Sequence, residues 1–125
     1  MASFNVKSTI DKYFQDNWST TTIQFEGQSL DIAKMISLQY APVENVSYGY
    51  NGTSTGRIEY AGIYKVFCYD TNPVKVMQLA DLVKTFLNGK ELDNIKIDIG
   101  QDGSANDLEN GYYECLVRFS VSEWS

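Results

Sequence analysis

The segment GRIEYAGIYKVFCYD, residues 56–70, is the longest extended run of the chain and decides its fold class. Its side chains alternate between two faces, as they do along a β-strand. One face carries apolar residues and a glycine: Ile58, Tyr60, Gly62, Tyr64, Val66 and Cys68. The other face begins polar and turns apolar only near its end. The alternation predicts a long strand that runs from a solvent-facing hairpin into the body of a sheet.

Four other runs alternate in the same way and predict four more strands. They cover residues 21–25, 34–41, 94–100 and 112–124. Pro42 follows the second of these runs. Because proline lacks a backbone N–H, we expect it to end that strand.

Two segments have the three-to-four-residue apolar spacing of amphipathic helices. The first spans residues 5–17, and the second lies between Asp70 and Lys90. Asn72 is a suitable N-cap for the second helix, Pro73 suits its first turn and Gly89 suits its exit. The order α-β-β-β-α-β-β predicts an α+β fold: a mostly antiparallel sheet of four to five strands packed against two helices, with a long extended loop or hairpin.

The length and composition fit one domain, residues 1–125, with an ordinary globular core. A net charge of -6 opposes coating of nucleic acid, which needs clustered Lys and Arg. The opening residues form no apolar signal segment, and no apolar run is long enough to span a membrane, so we expect a soluble protein made in a cytosol. Cys68 and Cys115 lie in predicted strands, where we expect buried, reduced thiols.

Catalytic signatures are missing from the sequence. The chain has no histidine, the usual general base near neutral pH and the commonest metal ligand. Neither cysteine lies in a motif with an activating partner, and the acidic residues fall mainly at turns and on polar faces. We therefore expect a protein that is not an enzyme and has no catalytic residues, no cofactor and no bound metal.

Residues 98–109 partly match a calcium-binding EF-hand loop. The matching residues are Asp98, Asp102, Gly103, Asn106 and Glu109. Gly100, however, stands where the motif needs a side-chain oxygen, and predicted strands flank the segment instead of helices. A loop that joins two antiparallel strands is the favoured interpretation, and weak calcium binding stays open.

The segment YGYNGTSTGR, residues 48–57, is rich in glycine and hydroxyl side chains. It has no lysine followed by serine or threonine and no following helix, which excludes a P-loop. Its formal glycosylation sequon carries little meaning without a secretory signal. An ordinary surface loop and an arm that becomes ordered against a partner both remain open, and the flanking tyrosines favour the arm.

These elements together resemble the tail terminator, or tail completion, proteins of long-tailed bacteriophages. The resemblance covers nearly the whole chain and rests on five segments: YFQDNWSTTTIQF (13–25), ISLQY (36–40), GRIEYAGIYKVFCYD (56–70), ADLVKTFLNG (80–89) and GYYECLVRFSVSEW (111–124). The family's long strand has an arginine before a glycine and an apolar run, which Arg57 and Gly62 match.

The resemblance implies a structural virion protein. Such proteins form a hexameric ring on the head-proximal end of the tail tube, stop tube polymerisation and present the surface for head attachment. Implied partners are other copies of the chain, the tail tube protein and a head-completion or neck protein, with DNA only passing through the lumen and no membrane contact. The implied place is the virion tail end, after synthesis in the cytoplasm of the host bacterium.

By position, the resemblance and the tyrosine-rich loop together give a set of hypothetical interface residues: Tyr48, Tyr50, Asn51, Thr53, Thr55, Arg57, Glu59, Glu114 and Arg118. Two other functions remain alternatives. One is a neck or head-completion protein of the same machine, and the other is a small binding module that holds a ligand or peptide on a tyrosine-rich sheet face.

Overall fold

A computed structural model describes residues 2–26, 34–45, 58–98 and 100–124. It has two helices, α1 (Ala2–Asn17) and α2 (Pro73–Leu87). The strands in chain order are β1 (Thr22–Gln24), β2 (Met35–Asn45), β3 (Ile58–Asp70), β4 (Glu91–Leu92), β5 (Ile95–Ile97), β6 (Gln101–Asp102), β7 (Asn106–Asp107) and β8 (Tyr113–Trp124). The predicted α+β fold class is confirmed.

Three long strands form the centre of the sheet, in the order β2-β3-β8, and both pairings are antiparallel. β1 adds to the edge of β2 in parallel, with Ile23 opposite Ile36. The other edge of β8 pairs in turn with β5, β6 and β7, and β4 closes the sheet beside β5. The sheet of the described residues is therefore mixed, but almost wholly antiparallel.

Both helices cover the same face of the sheet, and the core lies between them and it. Alternate residues of β3 and β8 point into this core, since Tyr64, Val66, Cys68, Val117 and Phe119 are all fully buried. The buried stripe of α2 packs against them and consists of Val76, Leu79, Ala80, Val83 and Leu87. The opposite face of the sheet carries no helix among the described residues, and it is called the open face below.

A partly buried hydrogen bond between two side chains joins helix α1 to the sheet. The hydroxyl of Tyr64 in β3 donates a hydrogen bond to Oδ1 of Asp11 in α1. Oδ2 of Asp11 accepts a second bond from Nζ of Lys7, at 2.8 Å. Beside this contact, Phe14 and Trp18 pack their rings on Phe86 of α2, with centroids 4.8 and 5.2 Å away. The helices are thereby joined to each other as well as to the sheet.

The ends of α2 follow the predicted signals. Asn72 is the N-cap, and its Oδ1 accepts from the backbone N–H groups of Val74 at 2.9 Å and Lys75 at 3.1 Å. Gly89 follows the helix with φ of +67°, a conformation that glycine adopts without strain. These contacts explain why a local sequence pattern was sufficient to place the helix.

One detail of the prediction was wrong. Pro42 does not end β2, which continues to Asn45. The pairing with β3 is irregular between Pro42 and Glu44, and β1 reaches only as far as Ser37, so Pro42 lies beside a bulge on an edge, where proline is tolerated. The five predicted strands correspond to β1, β2, β3, β5 and β8, and the sheet has three further strands, β4, β6 and β7, whose two residues are too few to produce an alternating pattern.

The two cysteines are direct neighbours across the central pair of strands. Cys68 and Cys115 are Cα partners in the register of β3 and β8, and both are buried and form no disulfide. The thiol of Cys115 donates to the backbone oxygen of Gly103, at 3.3 Å. The prediction that they pack as small buried groups is confirmed. Neither described helix has the length and apolar character that a membrane-spanning helix requires.

Candidate interface on the open face of the sheet

The structure brings together only part of the predicted interface set. Outside the described residues lie Tyr48, Tyr50, Asn51, Thr53, Thr55 and Arg57. The backbone of Glu59 lies in β3, where the pairing with β8 is irregular, and its side chain is outside the described part. Glu114 and Arg118 both project from β8 on the open face. Their role at a subunit boundary stays a prediction.

The open face of β3 and β8 is a ladder of directly opposed residues. Its four successive rows are Ile63 with Ser120, Lys65 with Arg118, Phe67 with Leu116, and Tyr69 with Glu114. None of these side chains is fully buried, and Arg118 and Ser120 are exposed. An apolar row thus lies between a cationic row and a row that contains a carboxylate.

The cationic row places two like charges at a close cross-strand site. The backbone oxygens of Leu116 and Ser120 accept bonds from Gly103 and Asp98 on the far side of β8. The backbone groups of the even-numbered residues of β8 therefore make no hydrogen bonds to β3. In such non-hydrogen-bonded pairs the opposed side chains lie closer together than in hydrogen-bonded pairs. Like charges at such a site repel each other. No ion pair among the described residues neutralises Lys65 or Arg118.

The carboxylate row pairs Tyr69 with Glu114 across the two strands. Burial raises the pKa of Tyr69 above its usual value, and the neighbouring carboxylate of Glu114 raises it further. Glu114 therefore lies opposite Tyr69, two rows away from Lys65 and Arg118.

The basic patch is defined as Lys65, Phe67, Leu116 and Arg118. It is basic on a chain with a net charge of -6. Arginine and aromatic residues are enriched in protein interfaces, and an apolar pair beside a cationic pair suits a partner that offers both apolar and anionic groups. The patch has no arrangement of nucleophile and base.

A second exposed feature has the opposite charge. Residues 106–112, called the acidic hairpin below, lead from β7 into β8. Asp107 and Glu109 flank Leu108, which is 38% exposed and one of the few large apolar side chains open to solvent among the described residues. The segment from 97 to 117 contains five acidic residues and no Lys or Arg: Asp98, Asp102, Asp107, Glu109 and Glu114.

The acidic hairpin has a defined backbone. The N–H of Leu108 bonds to the oxygen of Tyr112 at 3.0 Å, and Oδ1 of Asp107 accepts from the N–H of Glu109 at 2.8 Å. Glu109 and Gly111 have φ of +65° and +92°, which turn the chain back towards β8. The backbone at the tip of the hairpin is therefore held in a defined turn.

The partial EF-hand match falls on strands. Residues 98–109 contain β6 and β7, which both pair with β8, and β5 and β8 flank the segment, as the favoured interpretation predicted. Within the described part of the chain, no group of three or more possible ligands is placed to hold a metal ion.

The tyrosines do not collect on the open face. Tyr40 and Tyr64 point into the core, where burial raises the pKa of each hydroxyl. Tyr113 is half-buried on the same side. Of the strand tyrosines whose side chains the structure describes, only Tyr69 lies on the open face. The described sheet therefore does not offer the tyrosine-rich surface that a small ligand-binding module would use.

The grooves of the described surface are small and open. One of about 310 Å³ lies between α1 and β4 and is lined in part by Lys12, Asp16, Glu91 and Asp93. Another of about 180 Å³ runs beside α2 and includes Lys34 and Lys75. Nζ of Lys12 is paired with Asp16 at 2.9 Å.

Sequence reasoning missed Lys65, Phe67, Leu116 and the acidic hairpin. Two signals could have found them. The alternation in residues 57–69 already put Lys65 and Phe67 on one face, and the 21 residues from 97 to 117 lack any basic residue. The direct pairing of Lys65 with Arg118 depends on the register of two distant strands, which a single sequence does not reveal.

Comparison with known proteins shows shared architecture over nearly the full length. No family model matches the chain, and no curated protein matches it. A solved structure of the virion of a native gene transfer agent (GTA) particle contains a chain with a TM-score of 0.63 and 10% identity, covering 96% of this chain and 95% of that one. A second solved chain, whose name describes no function, has a TM-score of 0.58 and 10% identity, covering 98% and 91%. At this identity the likeness concerns the fold: this chain is built like a protein of that virion.

Proposed function

We propose that this chain is a structural virion protein that assembles as a ring on the end of a tail tube. The ring would stop tube polymerisation and present the surface for head attachment. The observation that carries the proposal is the full-length likeness of fold to a chain of a gene transfer agent virion, at a TM-score of 0.63. The resemblance to tail terminator proteins, made from the sequence alone, points in the same direction.

The surface supports a role in assembly better than one in catalysis. The acidic hairpin is exposed, the basic patch is partly exposed, and both carry apolar groups, as contact surfaces do. A net charge of -6 would also oppose adsorption of DNA that passes through the ring. Partners under this proposal are other copies of the chain, the tail tube protein and a head-completion or neck protein.

Tube polymerisation in the presence of this protein tests the function. The tail tube protein encoded by the same genome as this chain is polymerised with and without the chain, and tube lengths are measured by negative-stain electron microscopy. We expect shorter tubes with a ring at one end. An acidic protein of similar mass serves as the control. Unchanged tube lengths and bare tube ends would contradict the proposal, and binding to heads without any effect on tubes would favour the neck-protein alternative.

A further inference from the structure

We propose that the acidic hairpin of one copy of this chain docks on the basic patch of a neighbouring copy. The inference rests on the proposed function, because it names the contact that would hold the ring together. It deepens that function by identifying two different surfaces of the chain as partners for each other.

The basic patch needs an anionic partner. Lys65 and Arg118 stand directly opposite each other, and none of the ion pairs among the described residues includes them. Their mutual repulsion is a local cost in the isolated chain. A carboxylate placed between or beside them would offset this repulsion. The nearest described carboxylate on the same ladder, Glu114, lies two rows away, opposite Tyr69.

The acidic hairpin offers groups that complement the basic patch. Asp107 and Glu109 lie on either side of Leu108, and all three are exposed. On the basic patch, the cationic row lies directly beside the apolar row of Phe67 and Leu116. A hairpin tip that places Leu108 on the apolar row can thus bring one of the two flanking carboxylates to the cationic row. Such a contact removes one of the exposed large apolar side chains from water.

The occupant is a second copy because the chain itself holds both halves of the contact. The hairpin pairs with the first residues of β8, Asn106 with Glu114 and Asp107 with Tyr113. Its tip therefore lies beyond the start of β8, while Leu116 and Arg118 of the basic patch lie further along the strand. Two different surfaces that bind each other form a head-to-tail contact, and repetition of such a contact gives a ring when the rotation between neighbouring copies closes.

Charge reversal on each side tests the contact. The patch variant is K65E/R118E, which keeps the like-charge repulsion of the wild type and changes only its sign. The hairpin variant is D107N/E109K. Its amide in place of the Asp107 carboxylate retains an oxygen that can accept from the N–H of residue 109. Light scattering of the purified proteins measures the mass of the assembly. We expect each variant alone to lose at least about tenfold in assembly affinity, as for a loss of close charge pairs.

Two arrangements should restore assembly. In a mixture, copies of the patch variant and the hairpin variant that alternate around the assembly place opposite charges at every contact. The chain that carries all four substitutions also places opposite charges at every contact. Recovery in both cases also demonstrates that each variant is folded. The control is K34E/K75E, which changes the net charge by the same amount as the patch variant does. Its two lysines are exposed, line the groove beside α2 and lie outside the proposed contact, so this variant should assemble like the wild type.

The outcomes separate this inference from the proposed function. Normal assembly by the patch variant, or no recovery in the four-substitution chain, would overturn the docking of hairpin on patch while the wild-type ring still stands. Loss of assembly in the hairpin variant without recovery in the mixture would mean that the hairpin contacts a surface other than the basic patch, and would also overturn the inference. A wild type that remains monomeric, alone and with tail tube protein, would overturn the proposed ring itself.

Discussion

At the residue scale, Tyr64 is the side chain that joins the centre of the sheet to α1. It is fully buried, its ring stacks on Phe14 with centroids 6.2 Å apart, and its hydroxyl donates to Asp11. Strand alternation predicted that Tyr64 faces the core, but nothing in the sequence indicated that its hydroxyl meets a carboxylate of α1. That contact lies 53 residues away along the chain, and a local pattern does not report it.

Replacing Tyr64 by phenylalanine should weaken the folded state. Y64F retains the ring but removes the hydrogen bond to Asp11, a bond to a charged group that is typically worth about 1.5–3 kcal/mol. We expect a loss of free energy of unfolding near that range, measured by urea denaturation. Y69F is the matched comparison, since Tyr69 is only half-buried, and it should cost less. Equal stability of Y64F and the wild type would mean that the contact contributes nothing.

The same tyrosine makes the fold sensitive to alkali. Burial raises the pKa of Tyr64 well above the value of 10.0 for an unperturbed tyrosine. The negative charge of Asp11 and the hydrogen bond to it raise this pKa further. As the pH rises, the unfolded chain therefore loses the Tyr64 proton before the folded chain does. The contribution of Tyr64 to the free energy of unfolding is complete below about pH 10. Above that pH it declines by about 1.4 kcal/mol per pH unit for one buried group. Urea denaturation from about pH 8 to about pH 11 should show a steeper decline for the wild type than for Y64F. Parallel pH profiles would contradict this.

Gly62 leaves room for the ring of Tyr40. A Cβ at Gly62 would lie 2.5 Å from Oη and 2.7 Å from Cζ of Tyr40. Because Tyr40 is buried, its ring has little freedom to move, so we expect G62A to lower the free energy of unfolding by about 1–3 kcal/mol, as overpacking does. G103A is the control, since a Cβ at Gly103 meets nothing within 4 Å. Thermal denaturation that ranks the two variants equally would disprove the close approach.

At the element scale, the long helices and strands could be predicted from the sequence, and the shortest strands could not. The helix α2 was predicted with its cap and exit because Asn72, Pro73 and Gly89 act locally. Strands of two residues were missed because their existence depends on the neighbouring β8. The continuation of β2 past Pro42 was missed for a related reason: whether proline is tolerated depends on which strands pair beside it.

The connection between β2 and β3 carries a prediction made from the sequence. Residues 52–55 lie outside the described part of the chain, between the ends of two strands that pair antiparallel. We expect deletion of these four residues to leave the core folded, because the described core residues all lie elsewhere. Ring formation or capping of the tube should be impaired. Far-ultraviolet circular dichroism reports folding, and light scattering reports assembly; normal assembly by the shortened chain would make this segment an ordinary surface loop.

At the scale of the whole molecule, one small domain-sized chain presents two unlike surfaces. The open face carries the basic patch, and the end of β8 carries the acidic hairpin. Strand and helix patterns in the sequence predicted the fold class, and the family resemblance put Arg118 in the interface set. Neither revealed the patch, because Lys65 and Arg118 meet only through the register of β3 and β8.

The most direct test of the proposed ring is the mass of the wild-type protein in solution. Multi-angle light scattering over a wide range of protein concentrations, with and without tail tube protein, measures it. A closed ring predicts one limiting mass, a fixed multiple of the 14.1 kDa chain, that stops increasing as concentration rises. A mass of one chain under every condition, or a mass that grows without limit, would contradict it.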